Sequence, residues 1–106
     1  MAKANYVQKG ENIDFTATSD IGYLDVVPLT TRIGIALEEI KAGQVGTVAV
    51  SEVYELPAVT NAAFVAGDAL YWNGTAVTKT ATDNTPAGWA IAPKVSSGAT
   101  ALVKIG

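Results

Sequence analysis

Histidine and cysteine are both absent from the 106 residues of this chain. Without a thiol there is no disulfide, thiolate metal site, iron–sulfur cluster or cysteine nucleophile. Without an imidazole, a Ser-His-Asp triad, a histidine-ligated metal and the usual acid/base group near neutral pH are excluded too. Charge is scarce: 16% of residues, against about 25% in an ordinary soluble domain. The seven Lys and Arg residues are scattered and outnumbered by ten Asp and Glu, for a formal net charge of −3. Neutralising phosphates requires clustered cations, so no nucleic-acid partner is expected. No apolar run approaches the ~18 residues of a membrane span. Met1-Ala2-Lys3-Ala4-Asn5 lacks the apolar stretch of a signal peptide. No membrane partner is expected, and synthesis in the cytoplasm is.

What is present is apolar. Hydrophobic residues make up 49% of the chain, much of it Ala and Val. The length suits one domain, burying roughly 65% of the surface its unfolded form exposes. A chain so rich in apolar residues and so poor in charge folds, and is expected to cover part of its surface with another protein.

Residues 1–12 are mostly polar, with Tyr6 and Val7 as the only anchors, and read as an extended arm that orders against something. Residues 13–106 read as a single β-rich domain. Ile13 to Thr18 alternates, with Ile13, Phe15 and Ala17 on one side, as a strand does. Asp25 to Leu29 is a short strand that Pro28 confines to an edge or a bulge. Arg32 to Leu37 alternates again, with Ile33, Ile35 and Leu37 inward. Leu37 to Lys41 has helix-forming residues but is stopped by Gly43 and Gly46, too short for a stable helix, and reads as a loop. Thr47 to Leu56 reads as the longest strand, with an apolar phase slip that predicts a bulge or sharp bend near Ser51 and Glu52. One helical turn is expected at most, between Pro57 and Gly67 with Thr60 as its N-cap. Asp68–Trp72, Asn73-Gly74 and Thr75–Ala81 read as a hairpin closed by a type I′ turn. Trp89 with Ile91, and then Ala99 to Ile105, supply two final strands. Short strands between frequent turns predict an all-β fold, a small barrel or sandwich.

An internal echo runs through this pattern. Asp25-Val26-Val27 leads to Ile33-Gly34-Ile35-Ala36 and on to Val48; Asp68-Ala69-Leu70 leads to Ala87-Gly88-Trp89-Ala90 and on to Leu102. The spacing from Gly34 to Val48 equals that from Gly88 to Leu102. Two related β-units are therefore expected, the second carrying the Asn73-Gly74 hairpin as an insertion.

Carboxylates are the acid/base groups left. Glu38 and Glu39 are adjacent and Glu52 and Glu55 are three apart. On a strand both spacings send the side chains to opposite faces, so neither pair converges by local geometry as a glycosidase needs. Asp20, Asp25, Asp68 and Asp83 all sit at turns and form no D-x-[DN]-x-[DN]-G calcium loop, so backbone capping explains them. Gly43-Gln44-Val45-Gly46 lacks the Lys-Ser/Thr of a phosphate-binding loop. Asn73-Gly74-Thr75 matches a glycosylation acceptor, but a hairpin turn accounts for it. Neither catalytic residues, a metal nor a cofactor is expected. Tyr71 and Trp72 point to opposite faces of one strand, so one at most enters the core and the other covers the exterior or meets a partner. A carbohydrate- or peptide-binding β-barrel using Trp72 or Trp89 is the alternative reading.

An ordered set of segments carries a resemblance. Asn5-Tyr6-Val7-Gln8-Lys9-Gly10 precedes Ile13-Asp14-Phe15-Thr16-Ala17. Gly34-Ile35-Ala36, Gly46 to Val50, Tyr54-Glu55-Leu56-Pro57 and Gly67-Asp68-Ala69-Leu70-Tyr71-Trp72 follow. Thr85-Pro86-Ala87-Gly88-Trp89-Ala90 and Val103-Lys104-Ile105 close the series. Over nearly its whole length the chain resembles the capsid cement, or head-decoration, proteins of tailed bacteriophages. The resemblance implies a structural protein on the outer surface of an icosahedral head, often a homotrimer, made in the host cytoplasm. Such a protein clamps neighbouring major capsid protein subunits after the shell expands. It brings no catalytic residues with it. The residues themselves suggest the means: an arm that lies along an exposed strand of the partner and gains main-chain hydrogen bonds. Tyr6, Val7, Gln8 and Lys9 are the expected capsid contacts, with Ile13 where the arm joins the body.

Overall fold

Alternating apolar and polar residues make strands here because a pleated chain sends successive side chains to opposite faces, and one face of each sheet can then be buried. The computed structural model describes residues 2–6 and 8–106. Among the described residues nine strands form: β1 (Asn12–Thr16), β2 (Val26–Pro28), β3 (Ile33–Ala36), β4 (Val45–Ala49), β5 (Val53–Pro57), β6 (Ala69–Trp72), β7 (Val77–Thr78), β8 (Thr85–Ala90) and β9 (Thr100–Lys104). They build two antiparallel sheets, in the orders β1-β4-β3-β2 and β5-β9-β8-β6-β7. Each sheet keeps two edges, so the all-β architecture is sandwich-like and not a closed barrel.

Among the described residues no helix forms. The helical turn expected between Pro57 and Gly67 is absent. Its residues are held by β-type contacts, with Ala58 bridging Val77 and Phe64 bridging Lys94. The stretch expected as one long strand is two. It breaks at the predicted bend, where Glu52 takes a positive φ of 81° and the chain crosses from one sheet to the other. The hairpin between β6 and β7 also closes differently from expectation. Trp72 pairs with Val77 and Asn73 N–H donates to the Ala76 carbonyl, so the two loop residues are Gly74 and Thr75. Only Gly74 has positive φ, whereas a type I′ turn needs it at both positions. Asn73 is instead the acceptor that orders the loop, its Oδ1 taking the N–H groups of Thr75 and Ala76 at 2.9 Å.

The echo in the sequence is a repeat of the whole sheet. Dropping β7, the second sheet has the order β5-β9-β8-β6, the order of the first with β1 replaced by β5, β4 by β9, β3 by β8 and β2 by β6. Registers agree: Val27 opposes Gly34 as Leu70 opposes Gly88, and Ile13 opposes Val48 as Tyr54 opposes Val103. The loops agree as well. Ile21 and Ile40 exchange backbone hydrogen bonds as Phe64 and Lys94 do. Asp25 accepts from Gly22 N–H at 2.7 Å, and Asp68 from Val65 N–H at 2.8 Å. One equivalence differs from the spacing argument: the counterpart of Val48 is Val103, not Leu102, because Ala36 opposes Val48 as Ala90 opposes Val103. A one-residue slip reverses the face of every side chain, and Val103 is fully buried while Leu102 points out.

The main core lies between the sheets. Ile33, Ile35 and Ala49 from the first sheet meet Leu56, Leu70, Trp72, Val103 and Ile105 from the second. The other face of the first sheet is closed by its own loops, Ile40 and Ala17 packing on Val48 with Ile13, Phe15 and Ile21 around them. Pro28 lies on an edge strand, as its missing N–H requires. Pro86 is tolerated in an interior strand because β9 pairs only with the far end of β8, at Trp89 and Ala90, and the register with β6 shifts at Leu70/Tyr71.

Candidate functional site

The arm and the strand it enters form the first candidate surface. β1 borders β4 alone, so its outer edge pairs with nothing among the described residues. Residues 2–6, 8 and 9 belong to no strand, helix or turn. The first backbone tie of the body is Glu11, whose carbonyl accepts from Val50 N–H at 2.9 Å. Tyr6 is 84% exposed. Gln8 and Lys9 are exposed, and the Gln8 side-chain amide donates to the Asn12 carbonyl at a long 3.4 Å. Ile13 is half-buried on β1 opposite Val48. Val7 lies outside the described residues.

Gln8, Lys9 and Ile13 come together on one groove of about 390 Å³, whose other walls are Glu11, Asn12, Asp14 and Thr47. Tyr6 is not part of it. Glu11, Asp14 and Thr47 were not candidates in the sequence, because their place follows from the pairing of β1 with β4; the alternating Asn12-Ile13-Asp14 pattern was the one available signal. With its outer edge unpaired and a polar trough beside it, this region can accept an extended chain by backbone hydrogen bonding.

Several of the other polar candidates have structural work. Glu39 pairs with Lys41 at 2.7 Å, and this exposed bond raises the Lys41 pKa above its ordinary value. Glu38 accepts from Thr47 N–H at 3.1 Å. Asp20 accepts from Ala42 N–H at 2.9 Å, and Asp25 and Asp68 cap the equivalent turns described above. Trp72 is buried in the core and offers no stacking platform, while Tyr71 on the opposite face is half-buried. Trp89 is 44% exposed on the outer face of the second sheet.

A family model described as phage cement protein matches residues 7–105, the arm's last residues and both sheets together. The chain belongs to the phage cement protein family. No curated protein and no solved structure matches it. Phage cement proteins are structural and of a non-enzymatic kind, which makes this chain a capsid-associated component of a bacteriophage virion. That role suits a surface made of capped turns and sheet edges.

Proposed function

We propose that this cement protein binds the outer surface of the mature head and stabilises contacts between major capsid protein subunits. Residues 1–12 act as a binding arm and residues 13–106 as the body. The observation that carries the reading is that residues 2–6, 8 and 9, which belong to no strand or turn, lead into β1, an edge strand. Laid along an exposed strand of the shell, such an arm gains main-chain hydrogen bonds, with Tyr6 and Val7 as side-chain anchors, Gln8 and Lys9 alongside, and Ile13 at the junction. Synthesis takes place in the host cytoplasm, before assembly on the head. Copies associate as a homotrimer, so that several weak contacts act together through effective concentration. Deleting residues 2–10 is expected to leave the thermal transition of the body in place and to abolish co-sedimentation with expanded heads. Undiminished occupancy of heads by the truncated protein would refute the arm mechanism.

A further inference from the structure

The two sheets match strand for strand, yet the same face is covered in one and bare in the other. Val53, Lys104, Trp89 and Ala69 form a row across β5, β9, β8 and β6. Glu55, Leu102 and Ile91 form the next row, Ile91 N–H donating to the Leu102 carbonyl. In the first sheet the counterparts of Trp89 and Lys104 are Ile35 and Ala49, buried against the second sheet. In the second sheet Val53, Trp89, Leu102 and Ile91 are 46%, 44%, 40% and 37% exposed. Four large apolar side chains on neighbouring positions of one sheet face are more than the scattered exposure of an ordinary surface.

The charges on that face say what covers it. Glu55 and Lys104 are diagonal neighbours on β5 and β9, one of each sign. Neither takes part in an ion pair among the described residues, the Lys104 ammonium donating to the Gly106 carbonyl instead. A face bearing one acid and one base beside an apolar row has no net charge to attract a strongly charged partner, and it is complementary to itself. Gathered about a three-fold axis, each copy offers Glu55 to the Lys104 of one neighbour and Lys104 to the Glu55 of the other, with Trp89 against the adjoining apolar row. Every copy supplies both members of the pair, so this head-to-tail contact closes into a ring about a three-fold axis. We infer that the outer face of the second sheet is the surface through which copies of this chain join. The inference gives a location to the self-association in the proposed function and is independent of the arm.

Sedimentation velocity of the full chain, free of heads, tests it. The unaltered protein is expected to sediment as an assembly, and Trp89→Glu as a monomer with an unchanged circular dichroism spectrum. Glu55→Lys and Lys104→Glu are each expected to shift the mass toward monomer, and the doubly reversed protein to regain the assembly. This charge exchange keeps a readout should Trp89→Glu fail to fold. Deletion of residues 2–10, which tests the arm, is expected to leave sedimentation unaltered. A monomeric parent protein, or an assembly indifferent to all three substitutions, overturns the inference. Variants that stay assembled but no longer decorate heads overturn it too, and assign the face to the shell.

Discussion

The first sheet closes its covering loop with Ile40 and the second, at the matching position, with Lys94. Both residues are buried, and both exchange backbone hydrogen bonds with an equivalent partner, Ile21 or Phe64. Ile40 fills its site by contact with Ala17 and Val48. Lys94 does so by polarity: its ammonium, 4.8 Å from the centre of the Phe64 ring, shares its three N–H donors among the carbonyls of Val59, Val95, Ser96 and Gly98 at 2.9 to 3.2 Å. Buried cations are tolerated when their donors are satisfied, and here backbone oxygens replace the usual carboxylate. One backbone arrangement is thus held in two ways, by apolar filling where the loop lies close and by a charged clasp where four carbonyls turn inward.

The paired positions offer ways to break or sharpen that comparison. The largest effect is expected at the twin glycines. A methyl group at Gly88 would fall on the Lys104 backbone carbonyl, at a φ of 135° that L-residues rarely adopt, whereas one at Gly34 would meet a Val48 methyl. Gly88→Ala is expected to cost about 4 kcal/mol, combining overpacking with backbone strain, and Gly34→Ala about 2 kcal/mol. Urea midpoints of the two variants decide this, and equal losses would mean that the neighbouring strand yields as easily as a side chain. Exchanging the clasp comes next. Ile40→Lys places an ammonium among apolar side chains and is expected to cost about 3 kcal/mol. Lys94→Met keeps the stem over Phe64 but leaves carbonyls without their donor, for about 1–2 kcal/mol. Amide exchange in Val95–Gly98 should quicken in Lys94→Met alone.

The smallest effect concerns the twins Ile13 and Tyr54. Burial, with the Glu52 charge adding, raises the Tyr54 phenol above its ordinary pKa of 10.0. The folded state then holds this proton more tightly than the unfolded state does. The resulting stability is complete below pH 10 and is lost as pH rises through the elevated value. Melting temperatures taken from pH 9 to 11 are expected to fall less steeply in Tyr54→Phe than in the parent, by under about 1 kcal/mol in stability. An identical slope would show that the phenol reaches water.

Much of the fold was legible because it is local. Alternation at Ile13–Ala17 and Ile33–Leu37, Pro28 at an edge and the bend at Glu52 all depend on neighbouring residues, and the structure contains each of them. Asp25 and Asp68 were legible as turn caps for the same reason, whereas Asp20 accepts from Ala42, twenty-two residues away. What failed was non-local. Pro57–Gly67 carries helix signals but is claimed by bridges to Val77 and Lys94, and tertiary pairing outweighs weak propensity. The echo was one residue out at Leu102 because equal spacing does not register an extra residue in the loop before β9. β1 and β5 went unnoticed as its first strands because Asn12–Thr16 and Val53–Pro57 share almost no residues and are equivalent by pairing. The clasp at Lys94 left no trace in the sequence, since its acceptors are backbone carbonyls that any residue supplies.

Composition removed imidazole and thiol chemistry and alternation marked a β-rich chain, because the absence of a residue type is absolute and alternation is read over a few positions. Only the tertiary structure decided that two matching sheets stack with one face covered and its twin open. Which strand pairs with which, and which side faces water, depends on contacts between residues far apart in the chain, and the identity of a residue does not carry that information.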